Sequence, residues 1–348
     1  MRYNAPAIRR RVEPGGERQG GVMQPSRRQF LRLTAGVVAL PAVSRVAGAQ
    51  GFPSRYVRFI IPFPPGGTAD PVARVLANRL SEVWGQQVVV DNRGGAAGNI
   101  AAQAVAQAEP DGHTFLLGSI FLATNPFLFS SVGYDPVADL APVTQVGAFP
   151  NLMVVPNSSP ARSVRDFIEH AKAGRGRVSF ASNGVGGTPH LSAELFKRMA
   201  GVEMLHVPYR GGGPALNDLI PGRVDVLFGT LPSTIPLART GTLRALAVTS
   251  LTRARSAPDI PTIAESGLPG FELVGWNALF MPAKTPADIL AKVHRDTVAA
   301  LAHPAVRPKL EEIGVEVTTS TPAELAAYLQ SEMAKWGPII KEIGIKVD

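Results

Sequence analysis

Three stretches of this 348-residue chain set clustered glycines just before a proline that opens an amphipathic pattern. The first is Phe63-Pro64-Pro65-Gly66-Gly67-Thr68-Ala69-Asp70, followed by Pro71. The second is Ser182-Asn183-Gly184-Val185-Gly186-Gly187-Thr188, followed by Pro189, and the third is Pro208-Tyr209-Arg210-Gly211-Gly212-Gly213, followed by Pro214. Each comes directly after a short apolar run. Proline is tolerated in the first helical turn, best at its first position. That makes Asp70, Thr188 and Gly213 the expected N-caps. A helix start carries unpaired N–H groups and a partial positive charge, and glycine lets a backbone approach a ligand closely. Together they offer capture of a small carboxylate or phosphate without Lys or Arg. Any one of these loops also reads as a plain βα turn with no ligand; the shared arrangement of all three favours the anion site.

Other chemistry finds little support. The six histidines are His113, His170, His190, His206, His294 and His303, and none stands at metal-ligand spacing from another. There is no cysteine, no GxSxG elbow and no P-loop, and no GxGxxG follows the first strand. His190 and His206 flank glycine loops, where contact with a ligand and a purely structural role are both open. Asp70 has the chemistry of a general base, but its position suits capping and loop organisation better. No catalytic residue, metal or cofactor is expected.

The elements that must position these loops follow from periodicity. Residues 57–61, 88–90 and 114–118 read as strands alternating with helical patterns at 71–84 and up to 108. Residues 142–156 form a longer extended segment, and 163–173 a helix. Short strands follow at 178–181, 204–207, 224–228 and 244–249, then an extended apolar stretch at 271–281. Two amphipathic helices close the chain, at 286–301 and 322–336. Repeated βα alternation predicts an α/β protein with mostly parallel sheets covered by helices. The number of strands at this length predicts two lobes. In open α/β sheets ligands lie beyond the carboxyl ends of the strands, where the glycine loops belong.

The formal charge of +8 is uneven. Residues 1–49 hold nine Arg against two Glu, so they carry +7 and the rest of the chain only +1. The body therefore has no electrostatic reason to seek nucleic acid. Ser26-Arg27-Arg28-Gln29-Phe30-Leu31-Arg32, a modest apolar stretch and Ala47-Gly48-Ala49 read as a twin-arginine export signal cleaved near Ala49, with Met23 as an alternative start. An ordinary secretory signal is the other reading. With no cysteine there is no disulfide and no lipid-anchor thiol. The expected state is a free protein in the periplasm.

Several longer stretches resemble one family. They are PSRYVRFIIPFPPGGTADPVARVLANRLSEVWGQQVVVDNRGGAAGNI, PDGHTFLLGS, VSFASNGVGGTPHLSAELFKRMAG, HVPYRGGGPALNDLIPGRVDVLFGTLPS, LRALAVTS and AKWGPIIKEIGIKVD. They are similar to the Bug (Bordetella uptake gene) family, the extracytoplasmic solute-binding receptors of tripartite tricarboxylate transporters. The resemblance runs from about residue 52 to the end. It implies a two-lobed type II periplasmic binding protein fold that closes on its ligand. Lobe one would hold residues 52–148 and 248–348, and lobe two residues 149–247, with crossings near 149–155 and 245–249. It implies a small carboxylate ligand held largely by backbone N–H groups and bridging waters. On this chain the binding residues it implies are Phe63, Pro65, Gly66, Gly67, Thr68 and Asp70 on one side. On the other they are Ser182, Asn183, Gly184 and Thr188, with His190, Tyr209 and Gly211 as further contributors. It implies membrane permease subunits as partners and a monomer as the default state. A sensor that binds the same ligand class and feeds a membrane signalling kinase is the alternative, and an exported enzyme with Asp70 or His190 as base is a third.

Overall fold

The computed structural model describes residues 51–65 and 68–347 of the chain. The export segment, its cleavage point near Ala49, and Gly66 and Gly67 lie outside the described residues.

The amino-terminal half of the fold begins with β1 (Val57–Ile61), α1 (Ala69–Trp84), β2 (Val88–Asn92), a short 3-10 turn (Ala96–Gly98) and α2 (Asn99–Ala106). β3 (Thr114–Ser119) and α3 (Phe121–Leu128) complete it. β1 pairs in parallel with β2 and with β3. Its side chains alternate across the sheet, as a strand buried on both faces requires. Val57, Phe59 and Ile61 enter one apolar cluster with Val72, Ala73, Leu76 and Leu80 of α1, while Ile60 enters a second with Leu116, Leu122 and Phe280. α1 stops at Gly85, whose φ of 63° is the left-handed conformation that ends many helices.

The second half is built from α4 (Val164–Gly174), β5 (Ser179–Ser182), α5 (Thr188–Ala200), β6 (Leu205–Pro208), α6 (Gly212–Leu219), β7 (Val226–Thr230), α7 (Leu231–Arg239) and β8 (Leu243–Val248). β5 pairs in parallel with β6 and β7. Both halves are thus parallel where βα units repeat.

Two long antiparallel strands join them. β4 (Leu140–Pro156) pairs with β9 (Val274–Pro282) over its first part, up to Pro150. From Asn151 onward it pairs instead with β7 and β8. The sheet order is β2-β1-β3-β9-β4-β7-β5-β6, with β8 also on β4. After β9 the chain returns to the first half through α8 (Ala287–Ala302), α9 (Arg307–Glu312) and α10 (Pro322–Ile343). Val293 and Leu301 of α8 join the α1 cluster, and Leu325, Leu329 and Ile340 of α10 join that of α3.

Residue 248 is where the family resemblance returned the chain to the first half. In the structure the stretch after β8 stays with the second half: Ile263, Leu268 and Phe271 pack with Phe180, Phe196 and Phe228. The re-entry is β9. No helix or strand spans this stretch, so it carries no periodicity to read.

The helix starts also differ from expectation. α1 begins at Ala69 with Thr68 as N-cap, α5 at Thr188 with Gly187 as N-cap, and α6 at Gly212 with Gly211 as N-cap. Each helix starts one or two residues before the position that a proline at N1 implied. Pro71 and Pro214 stand third and Pro189 second, still among the positions whose N–H has no intrahelical partner. Asp70 is therefore inside the first turn and is not a cap.

Candidate functional site

Because β5, β6 and β7 run parallel, the helices that follow them all start at one edge of the second half. By the same logic α1 and α3 start at one edge of the first half, after β1 and β3. One contact shows that these edges face each other. Thr68 Oγ1, at the N-cap of α1, lies 2.9 Å from Thr230 Oγ1, at the N-cap of α7. Thr230 Oγ1 also meets Ser233 Oγ at 2.8 Å. Two helix N-termini from different halves thus converge, and their partial positive charges add at that point.

In the first loop, Phe63 packs edge-on against Phe121 of α3, with ring centroids 6.3 Å apart. Its carbonyl accepts from Asn92 Nδ2 at 3.0 Å. The same Asn92 nitrogen donates to Asp70 Oδ1 at 3.1 Å. Asp70 is buried and also accepts from Arg74 Nε and Nη2, both at 3.0 Å. Its carboxylate is therefore engaged with a guanidinium and an amide, the work of a loop organiser rather than of a proton acceptor. Pro65 is exposed on the turn. Gly94 lies against the preceding Pro64, near enough that a Cβ there would meet its ring at 3.5 Å.

The second loop stands on two stacked imidazoles. His190 and His206 lie face to face with centroids 4.1 Å apart, and His206 stacks on Phe180 at 4.7 Å. His190 Nδ1 accepts from the Gly186 N–H at 3.1 Å, which fixes its Nδ1 as the unprotonated nitrogen. His206 Nε2 and Ser182 Oγ share a hydrogen bond of 2.6 Å. Ser182 Oγ also bonds both the N–H and the C=O of Gly184. Burial pushes His190 down to about 3, helped by neighbouring His206 and Lys197. Burial likewise pushes His206 down to about 4, with Lys197 adding to it. Both rings are neutral near pH 7 and act as props under the loop. Gly184, at φ 132°, adopts a backbone conformation that side-chain-bearing residues avoid.

Thr188 turns inward. Its hydroxyl donates to Asn151 Oδ1 at 3.1 Å, at the point where β4 passes between halves. The Tyr209 N–H donates to the Ser182 carbonyl at 3.0 Å, so the second and third loops are joined. The Tyr209 hydroxyl donates to Asp218 Oδ2 at 2.8 Å and is committed to α6. Gly211, at φ 118°, caps α6, with open space where a side chain would stand.

The structure thus brings Thr68, Ser182, Asn183 and Gly184 to the facing edges. It commits the side chains of Asp70, Thr188, His190 and Tyr209 to holding those edges in shape. Sequence reading missed two residues there. Thr230 carried a signal, since Gly229-Thr230 followed by Pro232 repeats the strand, small residue and early-proline arrangement. Asn125 carried none, because Asn125-Pro126 reads as a turn, whereas here Pro126 lies inside α3. Among the described residues no group of three His, Cys, Asp or Glu could hold a metal ion.

Comparison with known proteins agrees with this fold. The family model for the tripartite tricarboxylate transporter family receptor, TctC, matches residues 72–345. Protein BugT of Bordetella pertussis is 36% identical over 312 residues, 89% of this chain and 96% of its own. A solved structure of R. palustris Rpa4515 with adipate is 41% identical and superposes with a TM-score of 0.81, covering 85% of this chain and 99% of that one. MatC from Rhodopseudomonas palustris with bound malate is 32% identical, with a TM-score of 0.76 over 83% of this chain and all of that one. The chain has the α/β periplasmic binding protein fold and belongs to the TctC family, the solute receptors of tripartite tricarboxylate transporters.

Proposed function

We propose that this receptor captures a small carboxylate between the two sheet halves and passes it to the permease subunits of a tripartite tricarboxylate transporter. The observation that carries this reading is the approach of Thr68 to Thr230 across the halves. It sets the N-terminus of α1 against that of α7, an arrangement suited to an anion and to closure upon it. The adipate and malate held by the two relatives supply the ligand class. Residues 63–65 and 68–70 form one wall of the site, and residues 182–188 with 209–213 and Thr230 form the other. The halves act as lobes, the first built from residues 52–148 and the part from β9 onward, the second from the residues between. The paired crossings at β4 and β9 are the hinge, and ligand shifts the population toward the closed form.

The protein works in the periplasm as a monomer after twin-arginine export and cleavage near Ala49. No helix among the described residues is long and apolar enough to cross a membrane.

A thermal-shift panel of mono- and dicarboxylates on the mature protein tests this, with native mass spectrometry to detect a retained acid. A ligand at 100 times its Kd adds about 2.7 kcal/mol of stability. One clear carboxylate hit with one-to-one stoichiometry is expected. A panel in which no acid shifts the midpoint, while a neutral solute does, would overturn the carboxylate assignment.

A further inference from the structure

Resting on that reading, we propose that the ligand is a carboxylate that also bears a hydrogen-bond donor, such as a hydroxyl or amino group. Asn125 and Asn183 are its acceptors. The two amide oxygens, Asn125 Oδ1 and Asn183 Oδ1, are buried and have no hydrogen-bond partner among the described residues. They come from different halves and meet at one place, the turn at Gly186 and Gly187. A Cβ on Gly186 would stand 3.6 Å from Asn125 Oδ1, and one on Gly187 would stand 2.7 Å from Asn183 Oδ1.

The orientation of Asn125 is fixed by its surroundings. Its Nδ2 donates to the Ala97 carbonyl at 3.1 Å and to Asn99 Oδ1 at 2.8 Å. Turning the amide over would set its oxygen against those two oxygens. The residue has no exposed surface. Asn183 differs: its side chain makes no hydrogen bond with any described residue, so it serves no visible structural purpose. The nearby N–H groups of Gly186 and Gly184 are engaged by His190 and Ser182, so neither satisfies these oxygens.

A buried carbonyl oxygen without a donor is costly. When the halves separate, water supplies the donor; when they close, it is lost. An occupant that brings an O–H or N–H restores it, so such an occupant favours closure over a plain acid of the same length. A carboxylate placed against the two oxygens would instead be repelled. The charged end therefore goes to the helix N-termini at Thr68 and Thr230, and the donor to the Asn pair. The acceptors are neutral, so hydroxyl and amino forms are both admitted.

Calorimetric titration with matched dicarboxylates of four to six carbons, each in plain, hydroxy and amino form (succinate, malate and aspartate being the shortest set), tests this. The best-fitting hydroxy or amino acid should bind at least about tenfold tighter than its plain counterpart, roughly 1.4 kcal/mol. Asn183→Ala, which breaks no hydrogen bond to a described residue, should shrink that ratio to within about threefold, and Asn125→Ala should do the same if it folds. Equal affinity for plain and donor-bearing acids, or an advantage that survives Asn183→Ala, would overturn the inference while leaving carboxylate capture intact. If no acid of any form binds, both the carboxylate reading and this inference fail.

Discussion

Thr188 donates its hydroxyl to Asn151 Oδ1 at 3.1 Å, tying the start of α5 to the residue at which β4 leaves one half of the sheet for the other. Asn151 also donates Nδ2 to Ser192 Oγ at 2.9 Å, and its N–H goes to Thr249 Oγ1 at 2.7 Å. Thr249 in turn donates to the Leu273 carbonyl at 2.6 Å, just before β9. Both crossings and the second glycine loop are thereby held in one buried network. A change in the loop is felt at the crossings, because buried polar networks tolerate loss of a member poorly.

Thr188→Val keeps the shape and removes the donor. It leaves Asn151 Oδ1 buried without that partner, a cost of about 1–3 kcal/mol. Urea unfolding should show a lower midpoint with an unchanged slope, and Thr188→Ser should recover much of the loss. Equal stability of the Val variant and the wild type would mean that the hydroxyl is not what holds the loop to the crossing.

The Thr68–Thr230 contact is testable by a double-mutant cycle on ligand affinity. Both side chains are partly exposed, so each hydroxyl recovers water when its partner is removed. A coupling of about 0.5–1.5 kcal/mol is the range of an ordinary hydrogen bond. Thr68→Val, Thr230→Val and the double variant should weaken binding by similar amounts, since either single change already breaks the contact. Additive losses would mean that the two residues do not meet in the bound state.

Much of this architecture was legible because it follows from periodicity. The two-residue alternation of β1 and the stripe of Val72, Leu76 and Leu80 on α1 are the direct signatures of a strand and a helix buried against each other. The glycine loops were legible for the same reason, since strand, glycines and early proline are local signals. The contacts that make a site of them are not local. Thr68 and Thr230 are 162 residues apart, and no pattern within either loop pairs them. α3 was missed because Pro126 reads as a breaker, although it falls where tertiary packing of Phe121, Leu122 and Leu128 sustains the helix. The roles of His190 and Tyr209 were equally hidden, since sequence shows proximity to a loop and not which way a ring is turned.

Two glycines of the loops should respond oppositely to alanine. Gly186 has φ 78°, and a Cβ there would lie 2.3 Å from Leu128 Cδ1. Gly186→Ala combines left-handed strain with a clash across the two halves and should cost about 1–3 kcal/mol. Gly213 has no atom within 4 Å of a built Cβ and lies inside α6, where alanine favours the helix by up to about 1 kcal/mol. Thermal unfolding of the two variants checks this. A destabilised Gly213→Ala would show that the third loop needs glycine for a reason other than backbone space.

Acid should weaken the protein through the imidazole pair. Unfolded histidine titrates near 6.5, while His190 and His206 are held at about 3 and about 4. Between those limits the unfolded chain binds more protons than the native one, so stability rises with pH. This contribution is complete above pH 6.5 and is lost as the pH falls toward 3–4. Each fully shifted ring contributes about 1.4 kcal/mol per pH unit in that window, and His206, only partly buried, contributes less. The groups facing the pair are Glu194, 3.8 Å from His190 Nε2, and Lys197, which bonds Glu194 at 3.0 Å. Glu194 gives an entering proton some support, and Lys197 opposes it. His190→Gln keeps an acceptor for the Gly186 N–H but cannot titrate. Its midpoint should fall less steeply between pH 6.5 and 4 than that of the wild type, by close to one proton in the slope. Ligand binding by the folded protein should hold through that window and be lost only near pH 3, where protonating His190 Nδ1 removes the acceptor that positions Gly186. Identical slopes in variant and wild type would mean that His190 takes up its proton in the native protein as readily as in the unfolded chain, and the ring would then not be held neutral by its surroundings.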